Sequence, residues 1–258
     1  MKNTRRLNRA LATALALAAL AFASPPTAAA GDHALVSKRR VVIVRTGRLA
    51  RQFPERKRAI VNLPVVSGIA DAAVLRKVRA ALDLKNVFDT SLAEYREDAW
   101  LEELDFKVNY NKNYILDITL WAEGTGAYPD TNTQHRAISL KTGGVLKARD
   151  VFKPDALDTL ARMANESLRA AVAEQIKVVE EDGDLTDKDS LKEELKGLTF
   201  GVKNLDDFKV SDAGVTFLYD AGFPHVIQAL EPDGEYFFTY AQLAPYIKRD
   251  GPLGTFVK

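Results

Sequence analysis

The sequence contains no cysteine among its 258 residues. Disulfide bonds, a lipidated N-terminal cysteine, cysteine nucleophiles and thiolate metal sites are therefore all excluded by composition. Histidine is also scarce, since only His33, His135 and His225 are present, and neither an HExxH zinc motif nor a GxSxG nucleophile elbow occurs. The sequence therefore predicts no metal, no cofactor and no familiar hydrolytic centre.

Long apolar runs are scarce as well, and the clearest is the uncharged stretch from Ala10 to Ala23. Basic residues precede it and Ala28-Ala29-Ala30 follows it, an order typical of a secretory signal peptide. Cleavage is expected after Ala30, with Ala21-Phe22-Ala23 as a second possible site. Fourteen helical residues would span only about 21 Å, which is short of a ~30 Å hydrocarbon core. We therefore expect a signal peptide at residues 1–30, a periplasmic or secreted protein and no membrane span after cleavage.

Neither sign of charge dominates, because 36 Lys and Arg stand against 35 Asp and Glu in the whole chain. Loss of the four basic residues of the leader would change the formal net charge from +1 to −3. Such a balance argues against nucleic-acid binding. With 47% apolar residues, the chain has enough hydrophobic side chains for a globular core.

Alternation of apolar and polar residues indicates strands in the first half of the mature chain. It is clearest from Leu104 to Tyr110 and from Tyr114 to Glu123, which predict a hairpin, and a third strand is expected from Gln134 to Leu140. Two β-branched runs come earlier, Arg39 to Thr46 and Ala59 to Val66. This order predicts an antiparallel meander.

Helical spacing appears after Asp71, which is expected to cap a helix through Leu82. A longer helix is expected from Pro154-Asp155 to Ile176, placed to cover the meander sheet. Near the end, Pro232-Asp233-Gly234 is expected to join a strand at Val226 to Leu230 with one at Glu235 to Thr239. We therefore expect an α+β fold, an antiparallel sheet of meander and hairpins with helices packed on one side.

Short motifs add a resemblance to a known family. They are Gly124-Thr125-Gly126-Ala127-Tyr128-Pro129, Ile138 to Gly143, Asp150-Val151-Phe152 and the terminal Tyr240 to Ile247. Over about Ala59 to Ile247 the chain resembles the secreted domain of RsiV-type anti-sigma factors, which sense lysozyme, and the non-catalytic domain of some peptidoglycan deacetylases. The resemblance implies one folding unit in two parts, residues 31–141 and 142–258.

The resemblance has two informative gaps. Tyr128 stands where the family has the histidine of a Gly-Gly-Ala-His element, so no role of that histidine is carried over. The membrane helix of the anti-sigma factors and the Asp-Asp and His-x-x-x-His elements of the deacetylase domain are missing from this sequence. Neither signalling across a membrane nor deacetylation is therefore implied.

The segment from Gly124 to Asp130 is the leading candidate for a binding loop. Gly124 and Gly126 would let the backbone approach a partner, and Trp121 and Tyr128 would supply aromatic anchors beside Asp130. A weaker candidate is His135, whose place on a predicted strand favours a sheet-surface side chain over a ligand contact. Together these residues predict a non-catalytic binding module for a wall glycan or a wall-lytic protein such as lysozyme.

Several alternatives remain open on the sequence alone. One alternative is an envelope hydrolase or esterase of unrecognised type that uses carboxylates or Ser139 in catalysis. Another is a structural envelope protein. The basic stretch from Lys38 to Arg58 would bind anionic polymers or lipid head groups by charge attraction. Alternatively, its bases line the outer face of a strand. A calcium loop from Asp182 to Glu193 is disfavoured because Asp187 stands where the loop needs glycine. The oligomeric state is not indicated.

Overall fold

The computed structural model describes residues 31–97, 100–126, 128–183 and 185–257. The expected signal peptide at residues 1–30 lies outside these ranges, as do Ala127 of the candidate loop and Asp184 of the calcium-like segment. Within the described part of the chain, no helix combines the length and hydropathy of a membrane span.

Five strands form the larger sheet, in the order β1 to β5. Their bounds are β1 Leu35–Val44, β2 Arg58–Ser67, β3 Leu101–Lys112, β4 Ile115–Thr125 and β5 Pro129–Ser139. All neighbours are antiparallel except β2 and β3, which pair in parallel through Ile60 and Val61. The predicted purely antiparallel sheet is therefore mixed, because helices between β2 and β3 carry the chain back before β3 begins.

Short helices cover one face of this sheet. They are α2 Ala72–Ala81, α3 Leu84–Phe88 and α4 Leu92–Glu97, and a separate turn of helix, α1 Gly47–Gln52, follows β1. Asp71 caps α2 as predicted, since its carboxylate accepts hydrogen bonds from the N–H groups of Ala73 and Val74. Helix and sheet share one core; its members include Val74, Val78, Val87, Phe88, Tyr95, Leu104, Leu116, Ile118 and Leu120.

The second half of the chain adds another sheet and most of the remaining helix. Its elements are α5 Ala148–Val151, α6 Leu157–Glu181, α7 Lys188–Gly197, β6 Phe208–Val210, β7 Gly214–Leu218, β8 Glu235–Thr239 and α8 Tyr240–Leu243. The order of the antiparallel three-stranded sheet is β6, β7, β8. The α+β class is therefore confirmed, but with two sheets in place of one.

Two expectations about this half are wrong. The long helix α6 packs against α7 and the three-stranded sheet and not on the larger sheet, because its apolar stripe, including Leu160, Ala164 and Leu168, shares a core with Phe208, Phe217 and Phe238. The segment expected as a strand at Val226 to Leu230 lies in a 3₁₀ helix, His225–Leu230. The hairpin partner of β8 is β7 instead.

The two halves meet on the face of the larger sheet opposite α2, α3 and α4. Tyr110, Asp117 and Ala137 lie in one row across β3, β4 and β5, and Tyr110 and Ala137 belong to the core of the second half. Helices consequently cover one face directly, whereas the second half covers part of the other. The prediction of helices packed on one side therefore holds for the larger sheet.

Candidate functional site

A buried carboxylate joins the two sheets. Asp117 of β4 has no exposed surface and accepts hydrogen bonds from Val210 N of β6 at 2.6 Å and from Asn109 Nδ2 at 2.8 Å. His135 Nε2 lies 2.7 Å from Asp117 Oδ1. Because buried carboxylates need several donors to offset lost hydration, these contacts explain how Asp117 is tolerated.

His135 is placed differently from the sequence expectation. The side chain is only 3% exposed, and its second nitrogen, Nδ1, lies 3.3 Å from Asp207 Oδ1. It is therefore not a sheet-surface side chain, because the second half of the chain covers this part of β5. Contact with a carboxylate at each ring nitrogen favours the doubly protonated imidazolium, which donates at both positions.

We expect this arrangement to make stability depend on pH. Burial lowers the pKa of His135, but hydrogen bonds to Asp117 and Asp207 together with their charges raise it more, so the pKa lies above its ordinary value of 6.5. The stabilisation is then complete below about pH 6.5 and is lost as pH rises through the raised pKa. Urea unfolding of the wild type and of His135→Gln between pH 6 and 9 measures this. A pH slope identical in both proteins would show that His135 does not titrate in this way.

Along the outer edge of β5, a cleft of about 540 Å³ separates that strand from the segment between Asp220 and Glu231. Its walls contain aromatic rings, carboxylates and side-chain amides. The lining residues are Trp100, Gly126, Tyr128, Asp130, Thr131, Asn132, Thr133, Gln134, Asp220, Gly222, Phe223, Gln228 and Glu231. Its size is that of an ordinary ligand site.

The cleft is acidic, because three carboxylates line it and none of its described lining residues is cationic. Each carboxylate is held by a nearby main-chain N–H. Asp130 Oδ1 accepts from Thr131 N at 2.8 Å and Asp220 Oδ1 from Gly222 N at 2.8 Å. Glu231 Oε1 accepts from Phe223 N at 2.7 Å. The negative charges are thus fixed in position before any partner binds.

Three of the six predicted site residues line this cleft. They are Gly126, Asp130 and Tyr128, whose residue exposure is 58%. Trp121 is half-buried on the sheet face beside Thr133, outside the lining, and His135 lies at the buried junction described above. The loop itself is shorter than expected since β4 and β5 remain paired up to Thr125 and Pro129.

Gly124 has a structural role that differs from the predicted one. A Cβ atom at this position would lie 2.1 Å from the carbonyl oxygen of Trp100, and Thr125 N donates to that same oxygen at 3.1 Å. The backbone that approaches Gly124 is therefore the chain's own. This contact places Trp100 against the candidate loop, although 24 residues separate it from Gly124.

Trp100, Asp220 and Glu231 are cleft residues that the sequence reasoning missed. A weak local signal exists for Asp220, since Asp-Ala-Gly is typical of a turn. Nothing in the spacing of the three residues shows that they meet, because the contact of Trp100 with Gly124 and the pairing of the second sheet bring them together.

Ser139 and Asp187, which the sequence offered for a catalytic and a calcium site, both have structural roles. The Ser139 oxygen accepts hydrogen bonds from Lys141 N and Thr142 N, both at 3.3 Å, and so stabilises the turn after β5. It stands four residues from His135 on an extended strand, about 13 Å away. Asp187 caps α7 by accepting from Ser190 N. No group of three or more potential metal ligands occurs among the described residues.

The basic stretch from Lys38 to Arg58 divides between two places: Arg45 is buried and Arg56 donates to Thr125 O beside the candidate loop, whereas the bases of β1 lie on the other edge of the larger sheet. Lys38, Arg39 and Arg40 are exposed on β1, which pairs with β2 alone. Lys38 Nζ lies 2.7 Å from an Asp105 oxygen. These charges therefore line an outer strand and partly pair with acids of the same sheet face.

No protein-family model matches the sequence, and no curated protein matches it. Among the solved structures that resemble the fold are two DUF3298 proteins. A DUF3298 family protein from Pseudomonas aeruginosa PAO1 aligns with a TM-score of 0.52 at 14% identity, covering 83% of this chain and 94% of its own. A DUF3298 family member from Bacteroides fragilis NCTC 9343 aligns with a TM-score of 0.53 at 15% identity, covering 89% of this chain and 98% of its own.

The chain shares the fold of DUF3298 proteins. The likeness concerns the fold alone, and the RsiV-type resemblance stays a prediction from the sequence. At such low identity the two structures establish architecture and assign no ligand, partner or activity.

Proposed function

We propose that the chain is an exported, non-catalytic binding module whose cleft takes a basic wall-lytic protein such as lysozyme. The observation that carries the proposal is the cleft beside β5, with three fixed carboxylates and no cation among its described lining residues. Opposite charge on a partner speeds encounter and selects against acidic competitors. The RsiV-type resemblance suggests a wall-lytic protein as the partner, and the predicted signal peptide suggests that the chain is exported.

Aromatic side chains at the same cleft support a protein contact. Tyr128 and Trp100 both line it, and Tyr128 keeps more than half of its surface exposed. Tyrosine and tryptophan are the side chains that most often dominate protein interfaces. A partner that buries Tyr128 would therefore gain apolar contact in addition to the charge attraction.

A neutral wall glycan is the second candidate. The same aromatic rings would stack on sugar faces, and the amides of Asn132, Gln134 and Gln228 would hydrogen-bond to hydroxyl or acetamido groups. This alternative does not need the three carboxylates to be charged. The two candidates are thus separable by neutralising those charges.

We expect neutralisation of the cleft to weaken lysozyme binding about tenfold in low salt, equivalent to about 1.4 kcal/mol. Asp220→Asn with Glu231→Gln removes two charges and keeps an oxygen that accepts from Gly222 N or Phe223 N. Calorimetric titration of the chain from Gly31 with lysozyme measures the change. The matched control is Glu194→Gln, an exposed acid on α7 that lies outside the cleft lining.

Three other results would redirect the proposal. Equal affinity of the double variant and the wild type would remove the cleft from the lysozyme contact. Binding of an N-acetylglucosamine tetramer without lysozyme binding would favour the glycan candidate. Turnover of that tetramer would support the hydrolase alternative.

A further inference from the structure

The open edge of β5 suggests how a partner would be held. Leu146 N donates to Ala137 O and Ser139 N donates to Gly144 O, so the main-chain groups of Ala137 and Ser139 point away from β4. Alternate residues of an antiparallel strand point the same way, and β5 pairs with β4 without a register shift. Thr131, Thr133 and His135 therefore also turn their N–H and C=O groups outward.

Side chains of the same strand already occupy the two ends of this edge. Asp130 Oδ1 accepts from Thr131 N, and Arg136 Nη1 donates to His135 O at 2.7 Å. Between them, the outward N–H and C=O of Thr133 make no hydrogen bond with any described residue. Both groups face the acidic cleft that Thr133 lines.

The two edges of the larger sheet are protected differently. Lys38, Arg39 and Arg40 project from the edge strand β1, and charged residues of this kind discourage pairing with another chain. The open part of β5 has the sequence Thr131-Asn132-Thr133-Gln134, which carries no charge and contains two strand-favouring threonines. This edge therefore has little of the protection found at β1.

From these observations we propose that an extended, cationic segment of the protein partner adds to β5 as a further strand. Its main chain would pair with the N–H and C=O of Thr133 at the usual strand spacing of about 4.8 Å. Its cationic side chains would reach Asp220 and Glu231 on the opposite wall of the cleft. The inference rests on the proposed function and describes how the partner binds. The main-chain hydrogen bonds contribute affinity, and the carboxylates favour a cationic partner over an acidic one.

The decisive variant is Thr133→Pro. Because Thr133 N–H points away from β4, proline removes the donor that faces the cleft and leaves the β4–β5 hydrogen bonds in place. We expect at least about tenfold weaker binding of lysozyme in calorimetry. The matched comparison is Thr133→Val, which changes the same side chain but keeps the donor, so that the proline variant is expected to bind at least about tenfold more weakly than the valine variant.

A measurement on the wild type guards against misfolding of the proline variant. Amide hydrogen exchange of Thr133, followed by NMR with and without lysozyme, is expected to slow at least about tenfold in the complex. Unchanged exchange at Thr133 in a complex that still depends on Asp220 and Glu231 would overturn strand addition and leave the proposed function standing. Absence of lysozyme binding by the wild type would overturn both.

Discussion

Replacement of Asp117 by alanine is expected to lower the free energy of unfolding by about 4 kcal/mol. The variant leaves Val210 N–H and the Asn109 amide without the buried acceptor that they share, and it leaves His135 facing Asp207 alone. Unmet donors at a site closed to water cost more than the bonds contribute when made. Urea unfolding measures the change.

Two further variants make this expectation specific. Asp117→Asn keeps one acceptor oxygen and is expected to lose less stability than Asp117→Ala. Glu194→Ala removes an exposed carboxylate and is expected to stay within about 0.5 kcal/mol of the wild type. A loss below about 1 kcal/mol in Asp117→Ala would show that the junction contributes little to holding the sheets together.

A fragment that contains only residues 142–258 is expected to show no cooperative unfolding transition. Its core is completed by Tyr110, Ile115 and Ala137 from the larger sheet, and β6 donates to Asp117. The reason differs from the sequence expectation, in which α6 needed that sheet to cover its apolar stripe. Without the larger sheet, the part of this core that contacts Tyr110, Ile115 and Ala137 is exposed to water, and a short three-stranded sheet of this kind does not hold a single packed state.

Thermal and urea unfolding of the fragment, followed by circular dichroism, tests this expectation. The full chain from Gly31 serves as the control and is expected to unfold in one transition. A sharp transition of the fragment at the stability of the full chain would establish two independent folding units instead.

Local features of the fold were predictable because they depend on neighbouring residues. The Asp71 cap needs only the N–H groups two and three residues later. The alternation around Leu116, Ile118 and Leu120 marks the buried face of β4, as observed. The two predicted strands leave the turn between Tyr110 and Tyr114. The structure centres the turn on Asn113 and Tyr114, both at positive φ.

Contacts between distant segments were not predictable from periodicity. The parallel pairing of β2 with β3 depends on where three short helices return the chain. His135 follows the alternation of its strand, yet it is buried because the second half of the chain covers that end of the sheet. An alternating pattern identifies two faces of a strand and does not reveal what packs on each.

The residues of the candidate site likewise include some that local sequence predicts and some that only the fold brings together. Gly126, Tyr128 and Asp130 were found because turn residues and an aromatic occur within one short segment. Asp220 and Glu231 stand about 90 to 100 residues later, as the printed sequence shows, and join the cleft only through the path of the chain around the second sheet. The charge of the cleft, on which the proposed function rests, was therefore absent from the sequence reasoning.

The most direct test of the account is NMR mapping of the isotope-labelled chain from Gly31 during titration with lysozyme. We predict that the largest amide shift changes occur at Tyr128, Thr133, Asp220 and Glu231, around the acidic cleft. Added salt should reduce them, since charge attraction is screened over about 8 Å at physiological ionic strength. Changes confined to the basic stretch between Lys38 and Arg58, or no changes at all, would contradict the assignment of the cleft as the binding site.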